Sequence, residues 1–208
     1  MRLYDFPLSP YCQKVRLVLA EKELVYEKYF VDLTKGDQRL PEYLRLNPYG
    51  KVPALVDDDE VIYDSTFINE YLDDEYPHPP LRPEPSAERA RVRMFEDFAD
   101  NSFTAQCGLL YQELRKPNEE IDQERVERYQ GDLIRVLEFL DKQLDGKEYL
   151  VGDFSLADLS FVPRVLILSQ LGVELPSRLK HVSAWIQRLA ERPSVVQLQK
   201  ELKLPDSQ

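Results

Sequence analysis

The sequence has little of the residues that carry metal and disulfide chemistry. It holds two cysteines, Cys12 and Cys107, and two histidines, His78 and His181, all far apart in the chain. Two cysteines cannot form the disulfide framework of a small secreted domain, so a reducing cytoplasm is the expected setting. Histidines and cysteines this scattered argue against a His/Cys metal site, and no metal is expected. Apolar runs long enough to cross a bilayer, about eighteen residues, are missing too, so no membrane span is expected. The opening Met1-Arg2-Leu3-Tyr4 reads as a strand and lacks the charged, apolar and small-residue order of a signal peptide. Positive charge is in deficit: 27 Lys and Arg against 38 Asp and Glu give a net charge of -11. Nucleic acid is therefore not an expected partner, because binding phosphates needs clustered Lys and Arg. Anionic membrane surfaces are disfavoured on the same ground.

What is present suits a folded protein of two small domains. Of the 208 residues, 43% are hydrophobic and 31% charged. The first part alternates strand and helix signals. Leu3–Phe6 reads as a strand, and a helix opens at Ser9-Pro10 and runs to about Glu23. Its buried stripe is Val15, Leu17, Val18 and Leu19. Val25–Val31 reads as a second strand and Pro41–Leu46 as a short helix. Asn47-Pro48-Tyr49-Gly50 is a turn by its chemistry. Val52–Val56 and Val61–Tyr63 form a hairpin around Asp57-Asp58-Asp59, and another helix starts at Ser65 or Thr66. The order β-α-β-α-β-β-α predicts a four-stranded mixed sheet with helices packed on it.

The proline-dense stretch from Pro77 to Pro83 reads as a linker. We expect a first domain over 1–77, a linker over 78–84 and an all-helical domain over 85–208. Helical segments are expected at Ala87–Gln112, Glu119–Asp145, Leu156–Leu171, Leu179–Glu191 and Ser194–Leu202. Ser155 and Asp158 have capping-box spacing, and Phe154 with Leu159 has the spacing of a hydrophobic staple.

Three segments could carry chemistry. Ser9-Pro10-Tyr11-Cys12 sits at a strand-to-helix junction, where free N–H groups favour an anion such as a thiolate. Ser9 can donate its hydroxyl to a sulfur, and Cys12, in the first helical turn, is a candidate for a depressed pKa. The same residues also suit a plain cap and a packed thiol. Val52-Pro53 opens a strand, either with a trans bond at an edge or with a cis bond that presents the Val52 backbone to an extended peptide. Asp64-Ser65 precedes a helix, as an ordinary capping pair or as a holder for an amino-acid head group.

In order and spacing the three resemble the glutathione S-transferase family, within the thioredoxin-fold superfamily. Ser9-Pro10-Tyr11-Cys12 resembles the Cys-Pro-Tyr-Cys motif of glutaredoxins with its first cysteine replaced, and the motifs of the tau, zeta and omega classes. The run Asn47 to Pro53 resembles the family's loop before its cis-proline, and Asp64-Ser65 its acidic-Ser pair for the γ-glutamyl group. The resemblance implies a thioredoxin-like domain followed by an all-α domain. It also implies glutathione as co-substrate, a homodimer, and transfer of a thiolate to a small hydrophobic electrophile held by the helical domain. Ser9 takes the catalytic position in that comparison, with Cys12 as the alternative candidate and Tyr11 in the same motif. Val52 and Pro53 meet the cysteinyl backbone, Asp64 and Ser65 the γ-glutamyl end, and Arg39 or Lys51 the glycyl carboxylate. Two further readings stand beside this. One is thiol-disulfide exchange through Cys12. The other follows from Tyr71 to Leu81, whose Pro77-His78-Pro79 resembles stringent starvation protein A, a relative of the same fold that binds RNA polymerase and is not generally an enzyme.

Overall fold

The computed structural model describes residues 1–203, so residues 204–208 of the expected helical domain lie outside the described residues. By its contacts the chain divides into two units: Met1–Pro80 with the segment from Pro193 onward, and Leu81–Arg192.

The first unit is built on four strands, β1 (Arg2–Asp5), β2 (Glu27–Phe30), β3 (Ala54–Asp57) and β4 (Glu60–Tyr63). They lie in the order β2-β1-β3-β4, with β1 parallel to β2 and antiparallel to β3, and β3 antiparallel to β4. This is the four-stranded mixed sheet that the element order predicted, in the thioredoxin-like arrangement that the resemblance implied. Its helices are α1 (Pro10–Glu21), α2 (Pro41–Leu44) and α3 (Ser65–Glu75). The second strand is shorter than the expected Val25–Val31. Glu23 turns the chain with φ 53, and Val25, 93% exposed, rides in the turn outside the ladder. The hairpin closes with Asp57 paired to Glu60, and Asp58 takes the left-handed conformation at φ 48.

Helix α1 is buried all round from Cys12 to Leu19, not along one stripe. Its polar side chains are spent on tethers. Gln13 Nε2 donates to the Pro7 carbonyl at 2.8 Å, and Lys14 Nζ donates to Thr66 Oγ1 at 3.4 Å. Arg16 pairs with Asp5 at 3.8 Å and with Glu201. Lys22 Nζ makes three contacts at 2.8 Å, to Asp73 Oδ1 and to the carbonyls of Tyr76 and Pro79. A helix α9 (Pro193–Lys203) packs on α1 through Arg16–Glu201, Lys28–Glu201 at 2.8 Å and a Ser194–Glu21 hydrogen bond. The sequence reading grouped Ser194–Leu202 with the helical half; these polar ties gather it into the first unit instead.

The second unit holds α4 (Ser86–Phe98), α5 (Ala105–Leu114), α6 (Gln123–Gln143), α7 (Leu156–Val165) and α8 (Lys180–Ala190). The expected single helix Ala87–Gln112 widens to a π-helical turn over Ala99–Thr104 between α4 and α5. The expected Leu156–Leu171 helix stops at Val165, two residues after Pro163, which lacks the N–H a helix interior needs. A 3-10 turn at Ser169–Leu171 follows.

Asp158 organises this unit. Its fully buried carboxylate accepts the Ser155 N–H at 3.1 Å, the Ser155 hydroxyl at 3.2 Å, the Leu150 N–H at 3.0 Å and Trp185 Nε1–H at 2.9 Å. Burial outweighs these four bonds and pushes the Asp158 carboxyl from an ordinary 3.8 up to about 6. The folded state thus binds this proton more readily than the unfolded chain. The group's contribution to stability is full below about pH 4 and falls as the pH rises through about 6. Urea unfolding of the wild type and of Asp158→Asn at a series of pH values checks this. The stability difference, wild type minus variant, should shrink as pH rises; a difference that grows with pH contradicts it.

Candidate functional site

The junction between β1 and α1 presents one hydroxyl. Ser9 has extended backbone (φ -73, ψ 122), and its N–H donates to the Phe6 carbonyl at 2.9 Å. Its Oγ accepts the Cys12 N–H at 3.4 Å, which makes Ser9 the N-cap of α1, with Pro10 at the first helical position. The Ser9 O–H is a donor that also reaches the Cys12 thiol, and a sulfur bound at this junction would compete for it. The helix end supplies partial positive charge at the same place. A thiolate brought here meets one O–H donor and the positive end of a three-turn helix.

Cys12 does not fit the same role. The thiol is fully buried, and its Sγ accepts the Phe6 N–H at 3.4 Å. Burial, helped by the nearby Asp5 carboxyl, pushes it from 9.0 up to about 12, so of the two readings the sequence left open, a depressed thiol and a packed one, the packed thiol holds. The helix terminus is outweighed because the side chain points into the cluster of Val31, Tyr43, Val52 and Ala54. Thiol-disulfide exchange through Cys12 loses its physical basis with the thiolate. Cys107 is also buried, and burial raises it to about 12. A chromogenic disulfide reagent at neutral pH should find no fast-reacting thiol in the native protein and two after denaturation. One rapidly reacting thiol in the native protein would contradict the burial of Cys12.

The second segment is held from behind. Asn47, 2% exposed, spends its amide on the loop: Nδ2 donates to the Lys51 carbonyl at 2.7 Å and Oδ1 accepts the Tyr49 N–H at 3.0 Å. The Tyr43 hydroxyl donates to the same Lys51 carbonyl at 2.6 Å. Gly50 has φ 58, and a Cβ there would lie 3.0 Å from the Gln38 carbonyl oxygen, so the turn needs glycine. The loop leads into a cis Val52–Pro53 bond just ahead of β3. Among the described residues the Val52 N–H and C=O have no hydrogen-bond partner, so an extended peptide could pair with them.

Asp64 caps α3 from a left-handed conformation, φ 73 and ψ 127, rare for a residue with a Cβ. Its Oδ1 accepts the Thr66 N–H at 2.9 Å, while the side chain as a whole is exposed. Ser65 is buried at the first helical position.

The structure brings the motifs onto neighbouring elements. Cys12 and Val52 share one core cluster, and Lys14 of α1 reaches Thr66 beside Asp64 and Ser65. Tyr11 is half-buried in the first turn of α1. Arg39 and Lys51 have exposed side chains, and among the described residues neither forms an ion pair. Sequence reasoning missed Lys14, Tyr43 and Asn47 as supports. Only Asn47 left a signal, as the first residue of a recognised turn. Among the described residues no group of three or more His, Cys, Asp and Glu could hold a metal ion, and no helix is long and apolar enough to cross a membrane.

Comparison with known proteins agrees with this geometry. Residues 3–80 match the family model of the glutathione S-transferase N-terminal domain, and residues 88–193 that of the C-terminal domain. The chain is 34% identical to glutathione S-transferase 3 of Zea mays, over 99% of this chain and 96% of that protein. It is 35% identical to a stringent starvation protein A homolog of Coxiella burnetii, over 86% of this chain and 80% of that protein. Among solved structures, glutathione transferase URE2P8 of Phanerochaete chrysosporium, determined with oxidized glutathione, superposes with a TM-score of 0.85 at 27% identity, covering 96% of this chain and 93% of that one.

Proposed function

The chain belongs to the glutathione S-transferase family, and we propose that it is a glutathione transferase acting on a small hydrophobic electrophile. The observation that carries this reading is the capping serine Ser9, a hydroxyl donor set at the N-terminus of α1. Glutathione binds extended across the first unit. The Val52 N–H and C=O pair with its cysteinyl backbone beside Pro53, as one strand pairs with another. Asp64 takes its α-ammonium and the Ser65 N–H its α-carboxylate, both at the start of α3. Arg39 or Lys51 meets the glycyl carboxylate, and Tyr11 flanks the thiol.

Ser9 donates its hydroxyl to the sulfur and holds it as a thiolate. The thiolate attacks an electrophilic carbon; on an aryl halide a C–S bond forms and halide leaves. Serine suits this task because it lowers the thiol's pKa without becoming charged itself. Lowering that pKa by about two units asks for about 2.7 kcal/mol, within reach of one charge-assisted hydrogen bond plus the helix end. A homodimer and a part in detoxification are typical of the family and belong to the same reading. Isothermal titration with glutathione, followed by turnover of a generic aryl halide, tests it. Saturable binding and halide release are expected, and no binding at millimolar glutathione overturns it.

A second reading, a non-enzymatic regulator that binds RNA polymerase, rests on the segment around His78. His78 is exposed, its bond to Pro79 is cis, and Lys22 holds the carbonyls of Tyr76 and Pro79 on either side of it. RNA polymerase retained on immobilised wild type and lost with His78→Ala would favour this reading over the first.

A further inference from the structure

A separate cavity of about 310 Å³ lies in the first unit, between strands β1 and β2 and the segment from the 3-10 turn Asp37–Arg39 to α2. None of Ser9, Val52, Asp64 or Ser65 lines it. Its aromatic wall is Tyr4, Tyr29, Phe30 and Tyr43, and its acidic side chains are Asp37 and Glu42. The Tyr4 and Tyr29 rings stack at 5.2 Å, and Tyr43 meets Tyr4 edge-on at 6.1 Å. No lysine or arginine is among the lining residues, and Arg39 and Arg45, which flank α2, stay exposed outside it. The mouth is open to solvent, since Tyr29 is 41% and Phe30 63% exposed.

We propose that this cavity is a binding site for a small quaternary ammonium cation, formed by the tyrosine cluster with Asp37 and Glu42. Three features select that chemistry over others. Aromatic faces present negative quadrupole density that attracts a cation within about 6 Å of a ring centroid. Two carboxylates add charge of the same sign, and no side chain in the lining offsets it. An anion is repelled by this lining. A primary ammonium would surrender strong hydration to walls that are mostly apolar, whereas an alkylated one carries its charge under methyl groups that pack on rings. Burial raises the Tyr43 hydroxyl above its ordinary value, and that hydroxyl is already spent as a donor on the Lys51 carbonyl.

The test compares choline with its uncharged carbon isostere, 3,3-dimethylbutan-1-ol, by titration calorimetry and by tyrosine ring signals in NMR. Choline should bind saturably and about tenfold more tightly than the isostere, the scale of one or two cation–π contacts. Tyr29→Leu keeps the apolar bulk and should weaken choline about tenfold. Glu42→Gln lies on an exposed side chain and should weaken choline severalfold while leaving the isostere unchanged. Ser9→Ala should bind choline like the wild type, so this result stands apart from the fate of the glutathione reading. Equal affinity for choline and the isostere, or no saturable binding by a wild type of normal circular dichroism, overturns the proposal.

Discussion

Ser9→Ala is expected to lower aryl-halide turnover about a hundredfold near neutral pH while glutathione still binds. The size of the effect follows from the donor that is lost. Without the hydroxyl the bound thiol returns toward its free pKa, a rise of about two pH units. That rise corresponds to about 2.7 kcal/mol, similar to the cost of removing one oxyanion donor elsewhere. Binding is expected to persist because the proposed contacts of Val52, Asp64 and Ser65 lie on other parts of the tripeptide. Ser9 is also the cap of α1, so the variant should lose about 1 kcal/mol of stability, which unfolding curves separate from the catalytic loss. Ser9→Thr keeps both the cap and the donor and should restore most of the turnover. Unchanged turnover in Ser9→Ala would remove Ser9 from the chemistry, and the buried thiol of Cys12, raised to about 12, could not take its place as a thiolate.

Lys22→Met is expected to cost about 3–5 kcal/mol of stability, because it removes one partner of a buried ion pair. The Lys22 side chain is fully buried and that of Asp73 is 6% exposed. Its three donors serve Asp73 and the carbonyls of Tyr76 and Pro79, so the loss strips three acceptors at once. Methionine fills nearly the same space, so the loss measures charge and hydrogen bonding more than volume. The double variant Lys22→Met/Asp73→Asn should recover part of the loss, since no carboxylate then lacks its cation. Chemical denaturation of the four proteins closes the cycle. A single-variant loss below about 1 kcal/mol would mean that the pair behaves like a surface ion pair.

Much of the first unit was legible in the sequence because its signals are local. The period of β1, the Ser9-Pro10 start, the turn at Asn47–Gly50 and the acidic hairpin each fix their own backbone. The capping box at Ser155 and Asp158 was legible for the same reason, while the Trp185 and Leu150 donors to that carboxylate join only through the fold. Polar side chains on α1 were the main loss. Gln13, Lys14, Arg16 and Lys22 carry no local signal of their partners, which lie up to 185 residues away and cover them. Cys12 failed for a related reason. Its first-turn position predicts a low pKa, but the pKa follows the direction of the side chain, and that direction is set by packing against Val31, Tyr43 and Val52. The helix α9 was found as a helix, but its attachment depends on Glu201 meeting Arg16 and Lys28.

Ser9 at the start of α1 is proposed to stabilise the thiolate of bound glutathione. Ultraviolet absorbance of the glutathione thiolate, titrated against pH on the wild type and on Ser9→Ala, tests it most directly. On the wild type that thiol should ionise about two pH units lower than free in solution, with the difference largely lost in the variant. A bound thiol that ionises at its free value on the wild type would contradict it.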